Sequence, residues 1–500
     1  MTNEKVARRR LHWSLLGWGW VGLGFVGTTL ATLASPAIVG APVNWWFNFA
    51  IAPGTTGNRL VFYFGVALVT LAWLAIGRRI RDDKRIGTLE VASLGLFWSL
   101  PLLVAPPMFS SDLYSYLAQG AILHLGLDPY HSAPLVLSRL GEGHLLRAVS
   151  PFWRSTTAPY GPSFIGLMSL LAAPASASLE LGVVLARLFE VLGVAAIAVS
   201  VPALARTCGA NSSRALWLTV ASPLVLFQLV AAGHNDALMA GLMVLGVTAA
   251  LSYQQPLLGI ALCVAAASVK VPAGIAALFL TICWVREQSS RRAKAIALSK
   301  AVLVGVVVLL VISWASGLGA GWLSTSVLAT PGRVHLAITP VSQLGWVGRA
   351  LLSGLGVHVA LQGVVGPIGD VALGLSAALA VVLAWRVRFE NLVVSLGSLL
   401  LVLAFLGPAA WPWYFCWGLV LVACSPLFQR SQALPAALVA SVFVVKPDGI
   451  LLFHFGAAPY VLGAYAVIGA LAFAAWHRSH AGSDAPLPLP ADQGRSAIPT

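Results

Sequence analysis

Long apolar runs, many of them close to 20 residues, alternate with short polar stretches along most of the chain. About 20 consecutive apolar residues are enough for one α-helix to cross a lipid bilayer. The pattern therefore predicts an all-α polytopic membrane protein with about 11 to 14 transmembrane helices. The clearest predicted spans cover residues 12–34, 59–77, 89–106, 179–205, 298–316, 360–385, 391–407, 413–428, 432–446 and 457–476.

Two apolar stretches depart from this pattern. Residues 161–175 are too short for a full span, so they predict a partial or re-entrant helix. Residues 256–285 are about one and a half spans long, and Lys270 and Pro272 interrupt them. Because proline lacks the backbone N–H that a continuous helix needs, this interruption predicts a broken helix with a lysine at the break.

The longest polar interruption of the apolar pattern covers residues 107–162. A helix that begins after the two serines of its SSD sequence places Asp112, Tyr116 and Gln119 on one face. The opposite face then carries three apolar side chains, those of Leu113, Leu117 and Ala121. This spacing predicts an amphipathic helix that lies along a membrane surface with its apolar face down.

The composition supports a membrane location, because 59% of the residues are hydrophobic and only 9% are charged, whereas soluble domains are about 25% charged. The formal net charge of +14 comes largely from short basic clusters beside the apolar runs. Such clusters mark the cytoplasmic ends of spans, so phosphate-bearing lipids are the expected partners and nucleic acid is not. The clearest clusters are KVARRR near the N-terminus, RRIRDDKR at 78–85, REQSSRRAK at 286–294 and RVR at 386–388.

This charge pattern divides the chain into a single transmembrane domain, residues 1–478, and a tail, residues 479–500. Within the domain, residues 107–160 are expected to form an external catalytic loop. The Pro-rich tail is expected to be disordered, because it cannot bury a core. No stretch between the spans is long enough for a soluble nucleotide-binding domain.

Asp112 is the first candidate for chemistry, because ionisable groups at membrane depth are costly and mark functional sites. It can act as a general base, with Tyr114, Tyr116 and Gln119 as substrate-binding neighbours. Alternatively, it is an acidic residue that only stabilises the N-terminus of a helix.

Two further places carry polar residues within apolar surroundings. His234, Asn235 and Asp236 stand together between two apolar runs. They either cap the following helix or bind a substrate. Lys270 either snorkels towards lipid headgroups or binds an anionic group such as a lipid phosphate, and its place within the run favours the anion.

Two later segments also carry candidate binding residues. In the loop 330–340, Arg333 and His335 can bind a phosphate or a sugar hydroxyl, although charged loop residues are usually just solvated. Trp411 and Tyr414 belong to an aromatic cluster that suits either the membrane interface or stacking against a sugar. No H-E-x-x-H sequence, cysteine pair or carboxylate cluster indicates a metal site.

Taken in order, SSDLYSYLAQG, GLDPY, APYGP, GHNDALMAG, ASVKVPA, PWY and KPDG resemble the polyprenyl-phosphomannose-dependent α-1,6-mannosyltransferases of actinobacteria. The resemblance covers about residues 90 to 450 and implies the glycosyltransferase C-type fold. It implies an enzyme that takes mannose from polyprenyl-phosphomannose on the outer face of the plasma membrane. The acceptor implied is a lipid-anchored mannan, whose α-1,6 backbone is that of lipomannan and lipoarabinomannan.

The resemblance also implies roles for individual residues. Asp112 would take the proton of the acceptor 6-hydroxyl in a single displacement that inverts the anomeric centre. Lys270, with Arg333 or His335, would stabilise the leaving polyprenyl phosphate. Tyr160 of APYGP joins the expected substrate-binding residues. Because phosphate is a good leaving group, this chemistry requires no metal, and no cofactor is expected.

Two other classes of protein share this composition. A lipid-linked sugar flippase or a secondary transporter also needs broken helices, but its essential charges would lie at mid-membrane and not in an external loop. A structural membrane protein would need neither Lys270 nor the polar residues at 234–236.

Overall fold

The structure is a computed structural model that describes residues 15–35, 45, 55–82, 86–323, 339–407, 411–443, 445 and 446. The regular secondary-structure elements of these residues are all helical. Arg333, His335, the expected span at 457–476 and the tail at 479–500 lie outside the described residues.

The first part of the chain contains long helices on either side of a group of short ones. The first three helices are α1 (Leu15–Leu33), α2 (Thr56–Asp82) and α3 (Thr88–Leu103). The short ones are α4 (Asp112–His124), α5 (Gly143–Ala148), α6 (Pro162–Ser169) and α7 (Ala172–Ala177). They are followed by α8 (Leu179–Thr207), α9 (Ser212–Leu218), a π-helical segment (Val225–Ala231) and α10 (Asp236–Ser252).

The second part of the chain has the same mixture of lengths. It contains α11 (Pro256–Ala267), α12 (Gly274–Glu287), α13 (Arg291–Ser316), α14 (Pro340–Gly354), α15 (Leu361–Arg386), α16 (Leu392–Leu406), α17 (Cys416–Val422), α18 (Pro426–Arg430) and α19 (Ala433–Val442). Short 3-10 turns at Val271–Ala273 and Pro412–Phe415 precede α12 and α17.

Within the described residues, five helices are long and apolar enough to cross a membrane: α2, α8, α13, α15 and the segment Phe389–Leu406, which contains α16. The π-helical segment and α10 make a sixth if they count as one span bent by 111°. Trp314 of α13 and Trp385 of α15 are 85% and 79% exposed, as expected of surfaces that face lipid. The architecture agrees with an all-helical polytopic membrane protein, and the total of 11 to 14 spans stays a prediction.

Two expected spans are shorter or less regular than the apolar pattern predicts. The stretch 413–428 contains a 3-10 turn, α17, a non-helical turn at 423–425 and the start of α18. Pro426 opens α18, where its missing N–H is tolerated, but it cannot continue α17. In the expected span 432–446, α19 is 10 residues long, which is about half of a bilayer crossing.

Close packing of α8 and α10 positions the candidate site. A Cβ atom at Gly241 of α10 would lie 2.3 Å from the carbonyl oxygen of Gly193 in α8. Such glycines let helix backbones approach each other in a membrane. The crossing brings Glu190 of α8 to the first turn of α10, where its carboxylate accepts a hydrogen bond from the Leu238 N–H at 3.3 Å.

Both predicted interruptions are present, and they contact each other. The expected partial helix consists of α6 and α7, with 8 and 6 residues, and Lys270 lies in the break between α11 and α12. The Gly161 N–H donates to the Val269 carbonyl at 3.0 Å. The Ser163 N–H donates to the Ser268 carbonyl at 3.2 Å. The start of α6 thus satisfies carbonyl groups freed by the break, as backbone at membrane depth requires.

The helix that was expected to lie on a membrane surface is buried in protein instead. The residues of α4 from 113 to 122 are all buried, on the face of Leu117 as well as on that of Tyr116 and Gln119. Helices α6, α7 and α8 pack against α4. The prediction of an amphipathic surface helix was therefore wrong, because the pattern of one helix does not show which distant segments will cover its polar face.

Candidate active site

A buried ion pair joins the break after α11 to the start of α10. Lys270 Nζ lies 2.9 and 2.8 Å from the two carboxylate oxygens of Asp236. The Asp236 side chain is fully buried and that of Lys270 is 14% exposed. The Trp417 indole N–H donates a further hydrogen bond to Asp236. Charges persist in a protein interior when they are paired and hydrogen-bonded in this way.

Aromatic rings enclose the same ion pair. Lys270 Nζ lies 4.5 Å from the centre of the Tyr414 ring and 5.6 Å from that of the Trp417 ring, within the range of cation–π attraction. These two rings stack with their centroids 4.6 Å apart. Lys270 therefore does not snorkel towards the headgroups, because a carboxylate and two aromatic faces hold its ammonium group.

Asp112 is the first residue of α4 and lies beside His234. Its Oδ2 is 3.6 Å from His234 Nδ1, and 17% of its side chain is exposed. Its backbone N–H donates to Ser110 Oγ at 3.1 Å. Burial raises the pKa of Asp112 to about 6; the charge of Lys270 opposes this change and that of Asp236 adds to it. At pH 7 the carboxylate is mainly ionised, and it is a stronger base than an exposed aspartate.

His234 connects Asp112 to an aromatic wall. Its Nδ1 also lies 3.5 Å from the Tyr116 hydroxyl. Its ring stacks on Trp413 with a centroid distance of 3.7 Å, and Trp413 stacks on Trp411 at 5.0 Å. The imidazole is fully buried, and its Nε2 has no hydrogen-bond partner within the described ranges. One ring nitrogen thus faces Asp112 and Tyr116.

The polar residues at 234–236 do not cap a helix. Asn235 occupies the position before α10, but its side chain makes no capping hydrogen bond. Its amide nitrogen and oxygen are buried, without partners among the described residues. Asp236 uses its carboxylate to bind Lys270. The capping interpretation was therefore wrong. Since buried polar atoms are nearly always hydrogen-bonded, a polar ligand would find partners here.

Tyr116 and Tyr160 meet edge to face next to Asp112, with ring centroids 4.9 Å apart. The Tyr130 hydroxyl donates to the Tyr160 carbonyl at 3.0 Å and so fixes this part of the loop. Burial raises the pKa of Tyr116 and of Tyr160. Both hydroxyls therefore stay protonated at neutral pH and can donate hydrogen bonds.

The structure brings most of the predicted site residues together, and it leaves others apart. The residues that meet are Asp112, Tyr116, Tyr160, His234, Asn235, Asp236, Lys270, Trp411 and Tyr414. The Tyr114 hydroxyl and Gln119 Oε1 are buried and have no hydrogen-bond partner in the described part of the chain, so no hydrogen bond joins them to this group. Arg333 and His335 lie outside the described residues.

Two charged residues of α8 also belong to the surroundings of the site. Arg187 donates hydrogen bonds at 2.7 to 2.8 Å to three carbonyl oxygens, those of Leu103, Ala105 and Ala231. Glu190 contacts the first turn of α10 as described above, and both side chains are fully buried. Both residues were missed in the sequence analysis. The signal for them was their charge, since both lie well inside the predicted span 179–205, where charged side chains are costly.

These contacts define a class of protein. A carboxylate with raised basicity, a buried cation and several aromatic rings meet where two membrane helices are interrupted. In a membrane, irregular backbone is tolerated where protein covers it or where it lines a cavity. The class is a polytopic membrane protein in which a basic carboxylate, an ion pair and a group of aromatic rings meet.

Comparison with known proteins identifies the family. Residues 16–286 match the family described as "Alpha-(1->6)-mannopyranosyltransferase, N-terminal domain", and residues 338–478 match "MptB C-terminal domain". The chain belongs to the α-(1→6)-mannopyranosyltransferase family and is a glycosyltransferase. The resemblance seen in the sequence motifs is thereby confirmed.

Curated relatives cover most of the chain. "Alpha-(1->6)-mannopyranosyltransferase A" of Mycobacterium tuberculosis is 35% identical over 85% of this chain and 84% of its own length. A Mycolicibacterium smegmatis relative with the same family name is 33% identical over 77% of this chain and 74% of its own. "Alpha-(1->6)-mannopyranosyltransferase B" of Corynebacterium glutamicum is 28% identical over 80% and 72%, respectively. No solved structure matches the chain significantly.

Proposed function

We propose that the protein moves mannose from polyprenyl-phosphomannose to a lipid-linked mannan acceptor on the outer face of the plasma membrane, with inversion at the anomeric carbon. The observation that carries this proposal is the position of Asp112, with its pKa of about 6, beside His234 and the Lys270–Asp236 pair. The names of the relatives support the sugar and the α-1,6 linkage.

Asp112 acts as the general base in this proposal. Its carboxylate takes the proton of the acceptor 6-hydroxyl as that oxygen forms a bond to the anomeric carbon. The bond from that carbon to the phosphate oxygen breaks, and polyprenyl phosphate leaves with the bonding electrons. A general base is most effective when its pKa is near the working pH. A pKa of about 6 is closer to neutrality than that of an exposed aspartate.

Lys270 is the proposed partner of the donor phosphate. An ammonium group has three N–H donors, and two of them can bond to the Asp236 oxygens at the observed distances. The third remains for an anion, and part of the side chain is exposed. A positive charge held beside a leaving phosphate stabilises the charge that develops on it. Arg333 and His335 remain proposed as additional cations.

The mannosyl group is proposed to bind between polar atoms and aromatic faces. His234 Nε2 and the Asn235 amide supply hydrogen-bond partners for sugar hydroxyls, because these atoms are buried and without partners among the described residues. Trp411 and Tyr414 are half-buried, and their rings are the proposed stacking partners of the sugar. The protonated hydroxyl of Tyr116 can donate a further hydrogen bond.

Mannose transfer from radiolabelled polyprenyl-phosphomannose to a lipid-linked mannan tests the proposal, in membranes that contain the full chain. Asp112→Asn should lower the rate about a hundredfold or more, by the lower end of the range for loss of a general base. The matched control is Asp128→Asn. Asp128 lies in the same loop, but it accepts hydrogen bonds from Tyr130 and His131 and so serves a turn.

Two results would contradict the proposal at different points. If the parent chain transfers no mannose from this donor, the proposed function is wrong. If Asp112→Asn transfers mannose at nearly the parental rate, the function stands but Asp112 is not its base. His234 or Asp236 would then be the next candidate.

A lipid-linked sugar flippase or secondary transporter is the second candidate function, because α11 and α12 form a broken helix at a charged residue. Reconstituted vesicles distinguish the two. Movement of the labelled lipid between leaflets without a new glycosidic bond would favour transport, and a mannosylated acceptor would favour the transferase.

A further inference from the structure

A cleft lined by three arginines lies far from the candidate active site. It encloses about 280 Å³ next to the end of α2, the turn between α8 and α9, and α18. Arg81, Arg214 and Arg430 line it, together with Asn211 and Gln429. The cleft lies at the C-terminal end of α8. The helix that begins at Asp112 packs near the N-terminal end of α8, where Leu117 lies beside Gly182. With 29 residues, α8 is about 43 Å long.

Among the described residues, the arginines of this cleft have no acidic partner from another element. Arg81 contacts Asp82, its exposed neighbour, at 3.5 Å. In the described part of the chain, Arg214 and Arg430 form no ion pair, and the buried Nε of Arg214 has no hydrogen-bond partner. Burial, and the nearby charge of Arg81, lower the pKa of Arg214. Arg81 and Arg214 thus hold two like charges close together.

The polar wall of the cleft is fixed by hydrogen bonds. Gln429 accepts a hydrogen bond from the Asn211 N–H at 3.0 Å and donates to the Asn211 carbonyl at 2.8 Å. The Asn211 side-chain oxygen accepts a hydrogen bond from the backbone N–H of Arg214 at 2.8 Å. These hydrogen bonds join the two segments that carry Arg214 and Arg430, so the backbone of the cleft is fixed on both sides.

We propose that this cleft binds a phosphate group, either that of an anionic lipid headgroup or that of a soluble phosphate compound. Guanidinium groups match the geometry of phosphate oxygens, and basic pockets between membrane helices on the cytoplasmic side suit lipid phosphates. The basic cluster at 78–85 predicts that the cleft lies on that side. Membrane orientation alone would need only solvated arginines, and it does not explain why the buried Nε of Arg214 has no partner among the described residues.

Binding can be measured on the purified full-length chain in detergent. The probes are short-chain phosphatidylglycerol, the zwitterionic short-chain phosphatidylcholine as its reference, and inorganic phosphate as the soluble anion. Phosphatidylglycerol or phosphate should raise the melting temperature with a saturable dependence on concentration. Arg214→Gln and Arg430→Gln should each weaken binding about fivefold, as expected for the loss of one charge near an anionic group.

Two further variants show whether the effect belongs to the cleft. Arg214→Lys keeps the charge but loses the guanidinium geometry, so it should bind more tightly than Arg214→Gln and less tightly than the parent. Arg292→Gln removes an exposed basic residue of α13 and should leave binding unchanged. A shift with phosphatidylglycerol alone identifies a lipid headgroup, a shift with phosphate alone identifies a soluble ligand, and a shift with both shows a phosphate site that accepts either source. No shift with either probe, or an equal loss in Arg292→Gln, would overturn the proposal.

Discussion

Replacing Asp112 by asparagine should inactivate the protein and also stabilise it at neutral pH. Burial raises the pKa of Asp112 from 3.8 to about 6 in the folded state. The ionised carboxylate therefore destabilises the fold by about 3 kcal/mol at pH values well above 6. Asparagine has nearly the same shape and carries no charge. Asp112→Asn should thus raise the free energy of unfolding by up to about 3 kcal/mol at pH 7.5.

The stabilisation should depend on pH. Because the folded-state pKa of Asp112 lies above the unfolded-state value, the folded protein binds more protons between about pH 4 and pH 6. The energetic cost of the carboxylate is absent below this interval and fully present above it. The difference in melting temperature between variant and parent should then be a few degrees at pH 7.5 and small near pH 4.5.

Thermal unfolding of the purified chain in detergent, followed by tryptophan fluorescence, measures this difference. Asp128→Asn is again the control, because it makes the same substitution in the same loop at a side chain that is 40% exposed. Equal melting of Asp112→Asn and the parent at both pH values would refute the burial of a charged carboxylate. Lower melting at both values would show that Asp112 mainly supports the fold. A variant that is more stable but inactive is the pattern expected of a functional residue held at a cost in stability.

Three further predictions concern the same site and its orientation. At limiting substrate, mannose transfer should fall about tenfold per pH unit below about pH 6 as Asp112 takes up a proton, and a flat profile between pH 5 and 7 would contradict a base here. The double variant Lys270→Met, Asp236→Asn should have a higher donor KM or a lower kcat than Asp236→Asn alone, and the second substitution is included because Lys270→Met by itself would leave the buried Asp236 carboxylate unpaired. An unchanged rate at limiting donor would remove Lys270 from phosphate binding. In a chain without other reactive cysteines, Leu140→Cys should react with an impermeant thiol reagent on intact cells, and Ser289→Cys should not. The opposite labelling would place residues 107–160 in the cytoplasm.

The long helices and the break at Lys270 could be predicted because they depend on neighbouring residues. The apolar run at 179–205 corresponds to α8, Leu179–Thr207, and that at 360–385 to α15, Leu361–Arg386. The length of such a run decides whether a helix can cross a bilayer. Pro272 lies two residues after Lys270, so the interruption of the helix was also visible locally.

The contacts that assemble the site could not be predicted, because they join residues far apart in the chain. Lys270 and Asp236 are separated by 34 positions, and Tyr116 and His234 by 118. The sequence favoured an anionic partner for Lys270, but it does not show which anion the fold supplies. For the same reason, the hydrophobic pattern of α4 predicted a surface helix, since the segments that cover its polar face lie elsewhere in the sequence.

The charges of the site explain how one lysine can serve two steps of the proposed reaction. Lys270 binds the Asp236 carboxylate, and its charge also opposes the increase in the pKa of Asp112. A donor phosphate brings a further negative charge close to these groups. That charge competes for Lys270 and favours protonation of Asp112, because nearby like charges raise the pKa of a carboxyl group. In the proposed reaction, binding of the donor would therefore make Asp112 a stronger base at the stage at which the acceptor hydroxyl loses its proton, and Lys270 would then be placed to neutralise the phosphate that leaves.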